Sequence, residues 1–158
     1  MSQEIERKFL VRGEFRDEAV RSVRMAQGYL CPGSGKTVRV RIAGEKAYLT
    51  IKGPSYDGGL SRFEWEKEIS IEDARALLTL AEDSIIDKTR YYIPSDDGRH
   101  TWEVDEFYGD NEGLVVAEIE LLSAVDTFPK PSWLGEEVTG DRRYYNAQLT
   151  RNPYKNWK

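Results

Sequence analysis

Cysteine and histidine are almost missing from this chain, with Cys31 and His100 the sole examples among 158 residues. A lone thiol cannot close an internal disulfide, which favours a reducing compartment. Without clustered Cys or His there is no ligand set for zinc, copper or an iron–sulfur centre. Long apolar runs are missing too. The opening Met1-Ser2-Gln3-Glu4-Ile5-Glu6-Arg7 is no secretory leader, and no stretch is apolar enough to span a bilayer. These absences predict a cytoplasmic protein with no membrane association. A basic surplus is also lacking: the net charge of −5 argues against a nucleic-acid partner. Finally, Gly33-Ser34-Gly35-Lys36-Thr37 falls short of the spacing of a phosphate-cradling Walker loop and reads as a turn.

What the chain does have is charge in strands. Its length fits one domain spanning 1–158, and 39% hydrophobic with 32% charged residues is an ordinary globular composition, somewhat rich in charge. Strand-like segments run at about 3–11, 24–30, 37–43, 46–53, 61–69, 84–93, 100–108 and 114–123, many of them separated by turn signals such as Asp96-Asp97-Gly98. Within them charges recur two apart: Glu4/Glu6/Lys8, Arg39/Arg41, Glu64/Glu66/Glu68, Lys88/Arg90, Glu103/Asp105 and Glu118/Glu120, with Thr50/Lys52 a weaker member. A period of two puts each set on one face of its strand. The positions between are largely apolar, as with Val38, Val40 and Ile42 beside the two arginines. Two stretches read as helix: one after Ser70-Ile71-Glu72-Asp73, which has the shape of a capping box, and a weaker one at 14–22. Asp126 to Trp133, with Pro129 and Pro131, reads as a connecting loop, and Asp141 as the cap of a short helix through Leu149.

About eight antiparallel strands suggest a barrel or a sandwich. The bland reading turns every charged face to water. Against it, nearly every strand supplies Glu or Arg where a solvent face would carry Thr, Ser, Gln and Lys. Exposed ion pairs contribute only about 0–1 kcal/mol each, so stability gives little reason to collect them. A closed barrel with its charged face inward gives them a common purpose, as the lining of a hydrated tunnel. The apolar face then packs outward on helices or, equally well, on a second subunit in a homodimer. Carboxylates suit hard divalent cations, magnesium above all, and Arg and Lys suit phosphate oxygens. Together they equip a site for phosphoryl chemistry.

Here the sequence resembles a known family. Glu4-Ile5-Glu6-Arg7-Lys8 matches the ExExK signature of the CYTH superfamily, the triphosphate tunnel metalloenzymes. The likeness extends through Gln27-Gly28-Tyr29-Leu30, Val38-Arg39-Val40-Arg41, Thr50-Ile51-Lys52-Gly53, Arg62-Phe63-Glu64-Trp65-Glu66, Lys88-Thr89-Arg90-Tyr91, Trp102-Glu103-Val104-Asp105 and Ala117-Glu118-Ile119-Glu120, to the tail Trp133 to Glu136 and Asp141 to Asn146. The resemblance implies a mainly β (α+β) fold: an eight-stranded antiparallel barrel forming a charged tunnel, helices packed outside, and a C-terminal helix near one mouth.

It also implies magnesium- or manganese-dependent hydrolysis of a short triphosphate. The short chain and the Trp133-Leu134-Gly135 tail look most like the bacterial inorganic triphosphatases, which cleave tripolyphosphate to pyrophosphate and phosphate. Thiamine triphosphatase, nucleoside triphosphatase and class IV adenylate cyclase share the core motif and stay open, as does a non-catalytic triphosphate-binding module. Carried over by position, Glu4, Glu6, Glu118 and Glu120 are the expected metal ligands, with Glu64, Glu66 and Asp105 joining or supporting them. Lys8, Arg39, Arg41, Lys52, Arg62, Lys88 and Arg90 are the expected phosphate ligands, Lys8, Arg41 and Lys88 of them also catalytic. Tyr29 follows Gln27-Gly28 as a catalytic candidate, a proton acceptor if nearby cations lower its pKa; packing at a strand end explains it equally well. Arg142, Arg143 or Lys155 could reach the anion from the tail. His100 and Cys31 receive no role.

Overall fold

Alternation of apolar and charged residues builds the molecule from long strands, each with one wet and one greasy face. The computed structural model describes residues 2–33 and 35–157, so Ser34 of the Gly33–Thr37 turn lies outside the described residues. The strands are β1 (Ser2–Val11), β2 (Arg21–Gly33), β3 (Lys36–Ala43), β4 (Lys46–Tyr56), β5 (Ser61–Ile69), β6 (Ile86–Pro94), β7 (Thr101–Phe107), β8 (Val115–Glu120) and a short β9 (Leu134–Glu137). Eight of them follow one another in the order β5-β4-β3-β2-β6-β7-β8-β1, and β1 also pairs with β5, so the sheet closes on itself. Every pairing is antiparallel. The ninth strand adds to the far end of β1, where Phe9 faces Glu137 and Val11 faces Leu134.

The barrel is inside out relative to a greasy core. Outward-facing Val40 and Ala47 pack on Ala74 of helix α1 (Ile71–Leu78) together with Ile42, Leu49, Ile69, Leu77 and Leu78. The helix starts as expected, with Ser70 Oγ accepting from Asp73 N at 3.0 Å. Just beyond it, a β-carbon on Gly28 of β2 would sit 2.8 Å from Ile85 and 2.9 Å from Leu78, so only glycine lets this layer lie so close. On the opposite wall, Phe9, Trp102, Val104, Ala117 and Ile119 pack under Phe15, Trp133 and Leu134. Exposed Ile51 and Trp65 sit in register on the outer face of β4 and β5.

Three segments differ from expectation. Residues 14–22 hold only a 3-10 turn, Arg16–Glu18, before β2 begins at Arg21. Glu14 Oε1 accepts from the backbone N–H groups of Phe15 and Arg16, and Phe15 is drawn into the Trp133 layer, so the chain never winds further. β9 emerges from a stretch without strand alternation. The tail helix is broken in two: Asp141 caps a 3-10 turn at Arg142–Tyr144, Tyr145 is extended, and α2 (Asn146–Leu149) is a single turn. The break frees the Tyr144 carbonyl to accept from Lys8 Nζ at 3.3 Å.

Candidate active site

The inward faces enclose one cavity of about 1100 Å3. Lining it are Glu4, Glu6, Lys8, Tyr29, Arg39, Arg41, Lys52, Arg62, Glu64, Glu66, Lys88, Arg90, Glu118 and Glu120, which are all the barrel residues expected to bind metal or phosphate or to act in catalysis except Asp105. Register explains the convergence. Glu6 lies opposite Glu120 and Lys8 opposite Glu118 across β1–β8; Lys52 opposite Glu64 across β4–β5; Arg41 opposite Gln27 across β2–β3. Because β5, β1 and β8 are neighbours, six of the acids share one wall. Arg39, Arg41, Lys88 and Arg90 occupy the wall of β3, β2 and β6.

The acidic wall is electrostatically crowded. Burial, followed by the charges of Glu118 and Glu4, raises the Glu6 carboxyl well above the ordinary range, and Glu6 hydrogen-bonds Glu118. Burial also works against ionised Glu118, yet Lys8, that hydrogen bond and Arg90 hold it well below the ordinary value. Glu120 is raised by burial and then by Glu4, Glu103 and Glu64; Glu64 by burial and then by Glu4. Lys52 Nζ bridges the set, 3.0 Å from Glu4 and 3.4 Å from Glu64. Its pKa is raised despite burial, because Glu4 and Glu6 outweigh desolvation. Among the described residues no three acidic, Cys or His side chains are gathered closely enough to chelate an ion. Glu4 leans on Lys52 instead, and Lys8 stands 3.6 Å from Glu118. The donor chemistry nevertheless fits a hard divalent cation, which would relieve the repulsion that raises Glu6, Glu64 and Glu120.

The basic wall is arranged to receive an anion. Arg39 donates to Thr50 Oγ1 at 3.2 Å, while its buried Nε has no hydrogen-bond partner among the described residues. Arg41 donates Nε to Gln27 Oε1 at 2.7 Å and makes no ion pair among the described residues. Burial, then Arg39 and Arg90, push its guanidinium down to about 9, so it stays charged at neutral pH. Lys88 is lowered well below the ordinary lysine range by burial, which Asp105 only partly offsets. Asp105 stands behind the wall rather than on it. Its oxygens accept from Lys88 at 2.7 Å and from Arg90 at 2.8 and 2.9 Å. Burial would raise this carboxyl, but Arg90 and Lys88 overcome that and hold it at about 2. Arg62 is turned to the Gly53 carbonyl, 2.8 Å away, and braces the hairpin ends at one rim. Tyr29 is buried and accepts from Gln27 Nε2 at 2.8 Å.

That rim is covered by the tail. Tyr144 and Leu149 pack with Tyr29, Ile86, Phe107 and Val116, and Asn146 Oδ1 accepts from Lys88 Nζ at 2.9 Å and Gln27 Nε2 at 3.1 Å. Arg142 and Tyr145 line the cavity; Arg143 is engaged with Asp141 and Lys155 with Asp110, away from it. Gln27 and Asn146 were not among the sequence candidates. Neutral amides leave no mark in a charge pattern; the inward parity of position 27 was the available signal.

Residues 2–147 match the CYTH domain. The chain belongs to the CYTH family. It is 48% identical to an inorganic triphosphatase of Acetivibrio thermocellus, over 100% of this chain and 99% of the relative. It is 40% identical to an inorganic triphosphatase of Nitrosomonas europaea, over 92% and 95% of the two chains. Among solved structures, that of the inorganic triphosphatase NE1496 superposes with a TM-score of 0.67 at 36% identity, covering 93% of this chain and 97% of that one. The likeness thus takes in the whole barrel. Among the described residues no helix is long and apolar enough to cross a membrane.

Proposed function

We propose that this CYTH protein is an inorganic triphosphatase that hydrolyses tripolyphosphate to pyrophosphate and phosphate inside its barrel. The observation that carries the reading is the division of one enclosed cavity into a carboxylate wall and a guanidinium–ammonium wall, in a chain alike throughout to two proteins of that activity. Arg39, Arg41, Lys8, Lys52, Lys88 and Arg90 bind and align the phosphate oxygens. The buried, unpartnered Nε of Arg39 is a donor suited to such an oxygen. Glu4, Glu6, Glu118 and Glu120 hold Mg2+ or Mn2+, with Glu64 and Glu66 beside them; bound there, the ion supplies Lewis-acid neutralisation of developing charge on phosphate. Asp105 takes no part in that set in our assignment and instead orients Lys88 and Arg90. Arg62 shapes the rim. Phosphoryl transfer asks mainly for positioning and charge stabilisation, which the two walls provide. Tyr29 is buried and borders the cavity, and its oxygen is the candidate for receiving a proton from water once the phenol has given up its own. A soluble, cytoplasmic setting suits the free Cys31 thiol, which is exposed.

Losing one charge-assisted contact costs about 1.5–3 kcal/mol, roughly tenfold to a few hundredfold in rate. Arg41→Ala and Glu6→Ala should each lower tripolyphosphate turnover by that factor while the protein stays folded. A phosphate-release assay over tripolyphosphate, ATP and thiamine triphosphate, with magnesium or manganese supplied and omitted, checks this. Preference for ATP with cyclic AMP as product would overturn the substrate assignment, and full activity in both variants would overturn the site.

A further inference from the structure

Two cations of the basic wall, Arg41 and Lys88, rest on side-chain amides where carboxylates of the same shape would fit. Gln27 is fully buried, behind the cavity surface. Its Oε1 accepts from Arg41 Nε at 2.7 Å, and its Nε2 donates to Tyr29 Oη at 2.8 Å and Asn146 Oδ1 at 3.1 Å. The same Asn146 oxygen accepts from Lys88 Nζ at 2.9 Å. A guanidinium, which can only donate, stands at one end of this relay and Lys88 Nζ at the other. The orientations of the two amides are therefore fixed by chemistry: oxygen to Arg41, nitrogen to Asn146, oxygen to Lys88.

We propose that Gln27 and Asn146 are positioning residues that aim Arg41 and Lys88 at the substrate without adding a negative charge that would compete with it. Elsewhere in the barrel the cations are pinned by acids: Lys52 by Glu4, Arg90 by Asp105 and Glu103, with Arg39 3.6 Å from Glu66. Lys88 shares its one carboxylate, Asp105, with Arg90, and its second acceptor is the neutral amide. A buried cation is held in place most simply by a carboxylate. That solution would compete with an incoming polyanion, because the anion would have to displace the carboxylate or share the cation with it. An amide fixes direction without that competition. Tyr29 gains from the same device, since its hydroxyl accepts from Gln27 and keeps its own proton free for another partner. The tail thus takes part in the site, through one side chain on α2.

The inference rests on the triphosphatase reading, and the experiment separates the two. In Asn146→Asp an acceptor oxygen remains for both Lys88 and Gln27, so the main change is one half-buried negative charge at the cavity wall. We expect its affinity for tripolyphosphate, measured by calorimetry with chelator present, to fall about tenfold or more. KM should rise by a similar factor with a smaller change in kcat, and the unfolding midpoint should be no lower than in wild type. Gln27→Glu, which keeps the acceptor facing Arg41, should act in the same direction and reports independently should the first variant fold poorly. Asn152→Asp adds the same charge farther along the tail and should bind like wild type. Folded variants at 146 and 27 that bind within twofold of wild type overturn the proposal, as does equal weakening in Asn152→Asp. Absence of turnover in the wild-type chain would instead remove the triphosphatase reading, while the binding comparison still judges the amide relay.

Discussion

His100 received no role in the sequence reading, yet it is buried with both ring nitrogens facing carboxylates. Nδ1 lies 2.8 Å from Asp97 and Nε2 2.7 Å from Asp126. Each nitrogen must donate, so the ring is held as imidazolium. The hydrogen bond to Asp126, and then that to Asp97, raise its pKa above the ordinary histidine value against the pull of burial. A raised folded-state pKa gives stability that is complete below the unfolded value of about 6.5 and disappears as pH rises through the folded one. Urea midpoints of the wild-type chain should therefore decline from pH 6 towards pH 9. Replacement by His100→Gln should remove that slope while lowering the midpoint at pH 6. A wild-type midpoint flat across this window would contradict the pairing. The clasp ties the β6–β7 turn to the segment after β8, since Asp126 also accepts from Leu122 N and Arg99.

Among elements, α1 has a simple job: it covers the greasy outer face of β2–β4, and its start depends on one hydroxyl. Ser70→Ala removes the cap on Asp73 N and should cost about 1 kcal/mol of stability. Triphosphatase activity should be unchanged below the melting range, because α1 lies outside the barrel; a denaturant titration paired with an activity assay checks both. This helix, like the eight barrel strands, was legible in the sequence because local signals specify it. The capping serine, the spacing of Ala74, Leu77 and Leu78, and the two-residue alternation of charge all act within a few residues. β9 was not, because Leu134–Glu137 becomes a strand only by pairing with β1, far away in sequence. The 3-10 turn at Arg16–Glu18 was misread for a related reason, with Phe15 answering to Trp133 rather than to its own neighbours. Within the site, the charged residues announced themselves, whereas Asp105 looked like its fellow acids and only its burial behind Lys88 and Arg90 sets it apart. Gln27 and Asn146 meet because the tail folds back over β2 and β6, a contact no local pattern encodes.

At the scale of the whole molecule, the barrel concentrates like charges that repel in the absence of guests. Glu6, Glu64 and Glu120 are all pushed towards protonation by burial and by their neighbours. Ligands that bind only this closed arrangement stabilise it by about 2.7 kcal/mol at a hundred times their dissociation constant. For a chain of this size that corresponds to a rise of about 5–10 °C in unfolding midpoint. Tripolyphosphate with manganese or magnesium should produce such a rise in Glu6→Gln only weakly, and in the wild-type chain fully. Equal shifts in the two proteins would place the ion elsewhere.

The closing strand also sets an order of events during biosynthesis. β1 carries Glu4 and Glu6 and is made before the other barrel strands, yet its partners β5 and β8 come midway and late in the barrel's order. Until β8 arrives, the N-terminal strand has an open edge and the acidic wall lacks Glu118 and Glu120. Hydrolytic competence therefore cannot be acquired piecemeal along the nascent chain. A polypeptide released before β8 would carry a bare, aggregation-prone seam in place of a partial enzyme.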